Sequence, residues 1–202
     1  MSPGQKTTWK RLRAVAEDQP GQALVLARGF KEPLARCAAL GWVARFWPHR
    51  DFKAIAAEAL QAIELADDAY EIAVGPLWPV RALLERGAYE EAAAAMAIAV
   101  KRARHISHPG RRASAMLSLL EAVKPYETAL WVAPLDDLAC PQNPRIHWRQ
   151  AVSLKYAMMM MVEGDAEALR AAGARTETVA LVEAAVAKAG RHIHLPREYF
   201  TV

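Results

Sequence analysis

The sequence predicts an all-α fold, and three observations carry that prediction. Alanine supplies much of a hydrophobic content of 53%, and alanine is the best helix former and lets helix axes approach closely. Twelve prolines and ten glycines cut the chain into helix-sized lengths. Within those lengths apolar residues recur at three- and four-residue spacing, and no β-branched run of the kind that builds strands is present.

In chain order the windows are 6–18, 20–30, 32–46, 50–66, 69–86, 88–106, 110–123, 125–139, 144–163 and 165–189, the last broken near Gly173. Pro33, Pro76, Pro79, Pro109, Pro125 and Pro144 precede or open windows, as expected where the missing N–H has no helical partner to lose. In the window at 88–106 the stripe Ala92, Met96, Ala99, Ala103 and Ile106 needs a neighbour to bury against, while Lys101, Arg104 and His108 share an outward line. Val179, Val182, Val186 and Ala189 form a second apolar stripe. Asp165 and Thr176 are expected as N-caps, and Gly164 and Gly190 as C-terminal caps. Met158 to Met161 point around the whole helix circumference, which implies a helix buried on most sides. Residues 1–190 read as one helical-repeat domain and 191–202 as an extended tail.

The charge balance is 26 basic against 22 acidic residues, a formal +4 with a pI near 9.2. It favours anionic partners without the concentrated basicity of a dedicated nucleic-acid binder. Cys37 and Cys140 show no zinc-type or redox spacing and are expected as free thiols in a reducing cytoplasm. No apolar core follows the N-terminal charges to make an export signal, and no apolar run approaches the roughly 20 residues that span a bilayer. Neither His105 with His108 nor His192 with His194 comes with the four ligands of a structural zinc site, so no metal and no cofactor are expected. Asp67-Asp68 and Asp136-Asp137 lie near helix ends as capping groups rather than converging dyads. No nucleophile elbow, phosphate loop, dinucleotide loop or zinc-protease motif occurs.

One stretch carries a resemblance. Gly87, Tyr89 and Ala92, followed by Met96 and Ala99, match the start of a tetratricopeptide second helix, with Tyr89 expected to pack across the helical hairpin. Tyr126, Ala129 and Ala133, and Gly164, Ala166 and Leu169, are partial echoes; Trp78 and Leu83 only suggest the first-helix pattern. Roughly 33–171 thus resembles a tetratricopeptide-like or HEAT-like α-solenoid. The resemblance implies a right-handed α-α superhelix of about five antiparallel helix pairs whose first helices line a concave surface for a peptide or protein.

Arginines early in the presumed first helices mark the units: Arg36, Arg81, Arg112 and Arg149, at separations of 45, 31 and 37 (81−36, 112−81, 149−112). A cation in a first turn opposes the helix dipole by about 0.3–1 kcal/mol, so repeated placement there asks for a reason. A basic rail for acidic peptides, carboxylates or phosphates supplies one. Ion pairing with adjacent helices is the plainer account. Trp78 and Trp148, each near a rail arginine, are the expected aromatic contacts. The expected function is a non-catalytic scaffold for an acidic peptide or protein. A HEAT-like nucleic-acid-binding protein or DNA-base glycosylase is one alternative, and a homo-oligomer docked through Tyr199-Phe200 is the other.

Overall fold

The computed structural model describes residues 3–126, 128–139 and 147–189, and among them every regular element is helical. The helices are α1 (Pro3–Val15), α2 (Pro20–Arg28), α3 (Pro33–Phe46), α4 (Phe52–Ile63), α5 (Ala69–Val74), α6 (Leu77–Glu85), α7 (Tyr89–Arg104), α8 (Pro109–Val123), α9 (Val132–Ala139), α10 (Trp148–Met159), α11 (Asp165–Ala171) and α12 (Thr176–Ala189), with a 3-10 turn at Thr128–Leu130. No described helix is long and apolar enough to cross a membrane. Cys140, Pro144, Gly190, the histidine pair at 192 and 194 and the tail from 191 lie outside the described residues.

Most windows hold, with local corrections; that at 125–139 holds only from Val132, since Pro125 lies in a turn after α8 and opens no helix. The window at 69–86 is two helices, because Gly75-Pro76 intervenes and proline cannot supply the N–H that would continue the ladder. Gly164 caps no C-terminus: α10 ends at Met159, and Gly164 is the N-cap of α11 at φ +89°. Asp165 is the first residue of that helix, is buried, and accepts from the Val162 N–H at 2.7 Å while pairing with Lys124 at 2.9 Å. Tyr89 does not pack across a hairpin, being 53% exposed; the neighbouring Ala88 fills that interior position instead, ahead of buried Ala92, Met96 and Ala99. Met161 is buried but Met159 is 44% exposed, so the methionine run has an open side.

Packing follows a regular order. The helix α3 contacts α2, α4 and α6; α6 contacts α7 and α8; α8 contacts α7, α9 and α10; and α10 contacts α9 and α12. Thus α3, α6, α8 and α10 form a row in which each touches the next. Alanine makes that spacing feasible: Ala39, Ala44, Ala59, Ala99, Ala103 and Ala115 are fully buried among Leu40, Val43, Ile63, Met116, Leu119 and Leu120. Backbone approaches closely at Gly41, where a Cβ would stand 2.7 Å from the Trp78 Cβ and the Pro79 nitrogen. Only glycine fits there without moving α6.

A second register links α4 to α7. Lys53 pairs with Glu91, and Glu64 with Arg102. Both pairs span 38 residues (91−53, 102−64), and their members are 11 apart along each segment, so the two helices run in the same direction, bridged by these long side chains. Arg28–Glu58 and Arg104–Asp137 extend these ionic links to α2 and α9.

Candidate functional site

The row α3–α6–α8–α10 contains all six residues singled out in the sequence, but in three different situations. Arg36 and Arg112 are half-buried and used locally. Each lies three residues after the opening proline of its helix; Arg36 Nε donates to the Phe30 carbonyl at 2.7 Å, and an Arg112 terminal nitrogen donates to the Ile106 carbonyl at 3.3 Å. Both carbonyls lie six residues upstream, in the chain entering the helix. The guanidinium satisfies an acceptor that would otherwise be left in a loop, which explains a first-turn cation without any ligand.

Arg81 is exposed on α6. Trp78, Arg81 and Glu85 fall on one helical stripe, away from the buried Val80, Leu83 and Leu84. Glu85 is the anchor of a network. It pairs with Arg45 of α3 at 2.5 Å and accepts from the Tyr126 hydroxyl at 2.8 Å, while Arg81 also hydrogen-bonds Tyr126. Burial and the Glu85 carboxylate together push the Tyr126 phenol upward, so it stays a donor. Beyond Arg45 the cluster becomes aromatic: Arg45 lies 5.4 Å from the Trp42 ring centre, and Arg13 of α1 lies between Trp42 and Trp9 at 5.2 and 5.4 Å. Among the described residues, Arg13 Nε and Trp42 Nε1 are the buried side-chain nitrogens without a hydrogen-bond partner.

At the far end of the row the helix starts of α8 and α10 come together. His108 caps α8, its Nδ1 accepting from the Gly110 and Arg111 N–H groups, and His147 caps α10 through the Arg149 N–H. Their rings meet edge to face at 5.1 Å. Gly110 permits this junction, because a Cβ there would stand 2.8 Å from His147 and 2.9 Å from Arg149 Cδ. Trp148 stacks on His147, Arg149 covers the Trp148 ring at 5.2 Å, and Trp148 remains 64% exposed. Arg111 pairs with Asp68, the N-cap of α5, and that hydrogen bond, ahead of those from backbone N–H groups, holds the Asp68 carboxyl below its usual range.

The acidic pairs are structural. Asp136 accepts from the Thr178 hydroxyl at 2.6 Å and the Arg175 N–H at 3.2 Å, tying α12 to α9, and Asp137 pairs with Arg104. Cys37 is buried against the Gly75 carbonyl, and burial pushes its thiol up to about 12, far from a nucleophile at neutral pH. Glu121 on α8 is the carboxyl that burial pushes upward. Among the described residues no group of three potential ligands could hold a metal ion.

Sequence inspection missed Arg13, Trp42, Arg45, Glu85 and Tyr126. A local signal existed for two pairs, Trp9 with Arg13 and Trp42 with Arg45, which share helix faces at four- and three-residue spacing. Glu85 and Tyr126 meet only through the packing of α6 on α8. Together these groups can bind: guanidinium groups and indole faces line one row, with a carboxylate fixed at its centre. No protein-family model matches the chain, and comparison with curated proteins and with solved structures finds no match either.

Proposed function

We propose that the chain is a non-catalytic helical-repeat scaffold that binds an acidic peptide or protein segment. Its architecture on this reading is a tetratricopeptide-like or HEAT-like right-handed superhelix of about five antiparallel helix pairs, with α3, α6, α8 and α10 as first helices. The carrying observation is the unbroken contact row of those four helices. On it Arg81 and Arg149 are exposed beside Trp78 and Trp148, whereas Arg36 and Arg112 are committed to backbone carbonyls. Arginine with an adjacent indole suits a carboxylate-bearing partner, because the fork binds the carboxylate and the ring contributes contact area.

Peptides selected by display against the full chain test this. Their affinity, measured by fluorescence polarisation, is expected to fall about tenfold or more in Arg81→Glu, a loss of the size of a buried charge-assisted contact. Unchanged affinity in that variant rejects the row as the binding surface.

A nucleic-acid role of HEAT-like type is a second reading, favoured by the half-buried Glu121 carboxyl on α8, which burial shifts above its ordinary value in a row bearing arginines. Titration with a duplex at low ionic strength decides it, since phosphate contacts are strongest there and no binding eliminates the role.

A further inference from the structure

The helix α10 is two-faced in an unusual way. Gln150, Ser153 and Ala157 are buried against the body. On the opposite side Trp148, Val152, Tyr156 and Met159, at i, i+4, i+8 and i+11, are 64, 41, 54 and 44% exposed. Elsewhere among the described residues the exposed large apolar side chains are Val25, Leu65, Tyr89, Ile98, Val162 and Leu181, of which only Tyr89 and Ile98 share a helix, α7, nine residues apart and so on opposite sides of it. Four on one helical line make a continuous apolar ridge about 16 Å long at 1.5 Å per residue. The ionisable groups of α10 are Arg149, Lys155 and Tyr156, with no carboxylate on the helix, and among the described residues neither cation is in an ion pair.

We propose that this ridge docks an amphipathic helix of a partner protein, apolar along one stripe and carrying Asp or Glu beside it. The inference deepens the scaffold reading and rests on it. Charge selects the occupant. A second copy placed ridge to ridge sets Arg149 and Lys155 against their own counterparts with no acid on either helix to offset them. Residues 190–202 offer Arg191 and Arg197 against Glu198, so they bring no acidic excess. A partner helix with acidic flanks matches both features, its stripe filling the spaces between ridge side chains at helical spacing and its carboxylates reaching the two cations.

The test is a display selection against the full chain, using helices of about 18 residues with a fixed apolar stripe and randomised flanks. Enriched clones are expected to carry Asp and Glu at the flanks. They are expected to bind Val152→Ala/Tyr156→Ala about tenfold more weakly or worse, with the circular dichroism and melting of that variant unchanged. Arg149→Glu/Lys155→Glu is expected to reverse the preference to Lys and Arg flanks. The inference is overturned if the flanks show no acidic bias, if clones are indifferent to the Val152 and Tyr156 substitutions, or if no clone is enriched. It is equally overturned if those substitutions abolish a dimer seen by sedimentation or binding to phosphatidylserine vesicles, or if truncation after Gly190 frees a face that was closed. Clones lost in Arg81→Glu but retained in the Val152 and Tyr156 variant leave the scaffold reading standing and remove this one.

Discussion

The outward faces of α7 and α10 differ in what meets them. Both helices bury a stripe of small and apolar residues, Ala92, Ala95, Met96, Ala99, Val100 and Ala103 on α7 and Ser153 and Ala157 on α10. On its other side α7 carries mainly alanines and charges, with Ile98 among them, and three of those charges are paired: Glu91 and Arg102 with α4 and Arg104 with α9. On α10 the outward side is Trp, Val, Tyr and Met with two cations unpaired among the described residues. A face tied to its own neighbours can be charged, whereas the open apolar and cationic face is the one proposed above to take a partner. On the docking proposed above, α7 serves cohesion and α10 recognition.

The largest effect should come from breaking the inward side of α7. Met96 is 2% exposed, and Met96→Ala is expected to cost about 2–5 kcal/mol in urea unfolding, through lost burial and the cavity left behind. Next is the junction of α3 with α6. Gly41→Ala forces a methyl into the Trp78 backbone and Cβ, and a loss of about 1–3 kcal/mol is expected from overpacking. A double-mutant cycle on Glu64 and Arg102, which are partly exposed, should give a coupling of only about 0.2–1 kcal/mol that shrinks in high salt. On α10, Val152→Ala/Tyr156→Ala should shift stability by no more than about 0.5 kcal/mol, because neither side chain is buried.

Two carboxyls give opposite pH signatures. Arg111 holds Asp68 low, so its contribution is present above the unfolded-state pKa and is lost as pH falls through the depressed folded value. Asp68→Asn should flatten the acid limb of the stability curve. Burial raises Glu121, so its contribution is present below the unfolded-state pKa and is lost as pH rises through the folded value. Glu121→Gln should therefore raise neutral-pH stability and leave the acid limb unchanged in thermal melts across pH.

Helix positions were legible because alanine content, proline placement and apolar spacing are local properties. What escaped was tertiary or sign-reversed. The 38-residue register between α4 and α7 is invisible to a search for similar residues, since Lys53 faces Glu91 while Glu64 faces Arg102. Gly75-Pro76 divides a window whose flanks, Ala69 to Val74 and Leu77 to Glu85, both carry helical periodicity. Arginine spacing alone did not reveal that Arg36 and Arg112 bind the chain preceding their own helices. The Arg45–Glu85–Tyr126 network required α3, α6 and the end of α8 to be brought together first. The tryptophan next to an arginine at 148 and 149 was readable, and the structure adds that the same helix continues as an apolar ridge.

Hydrogen exchange of the full chain, with and without an acid-flanked helical peptide obtained by selection, tests the central claim most directly. Added protection should run along α6 and α8 and be strongest on α10, with the amides of α7 unchanged. Protection centred on α7, or none on the row α3–α6–α8–α10, would contradict the account.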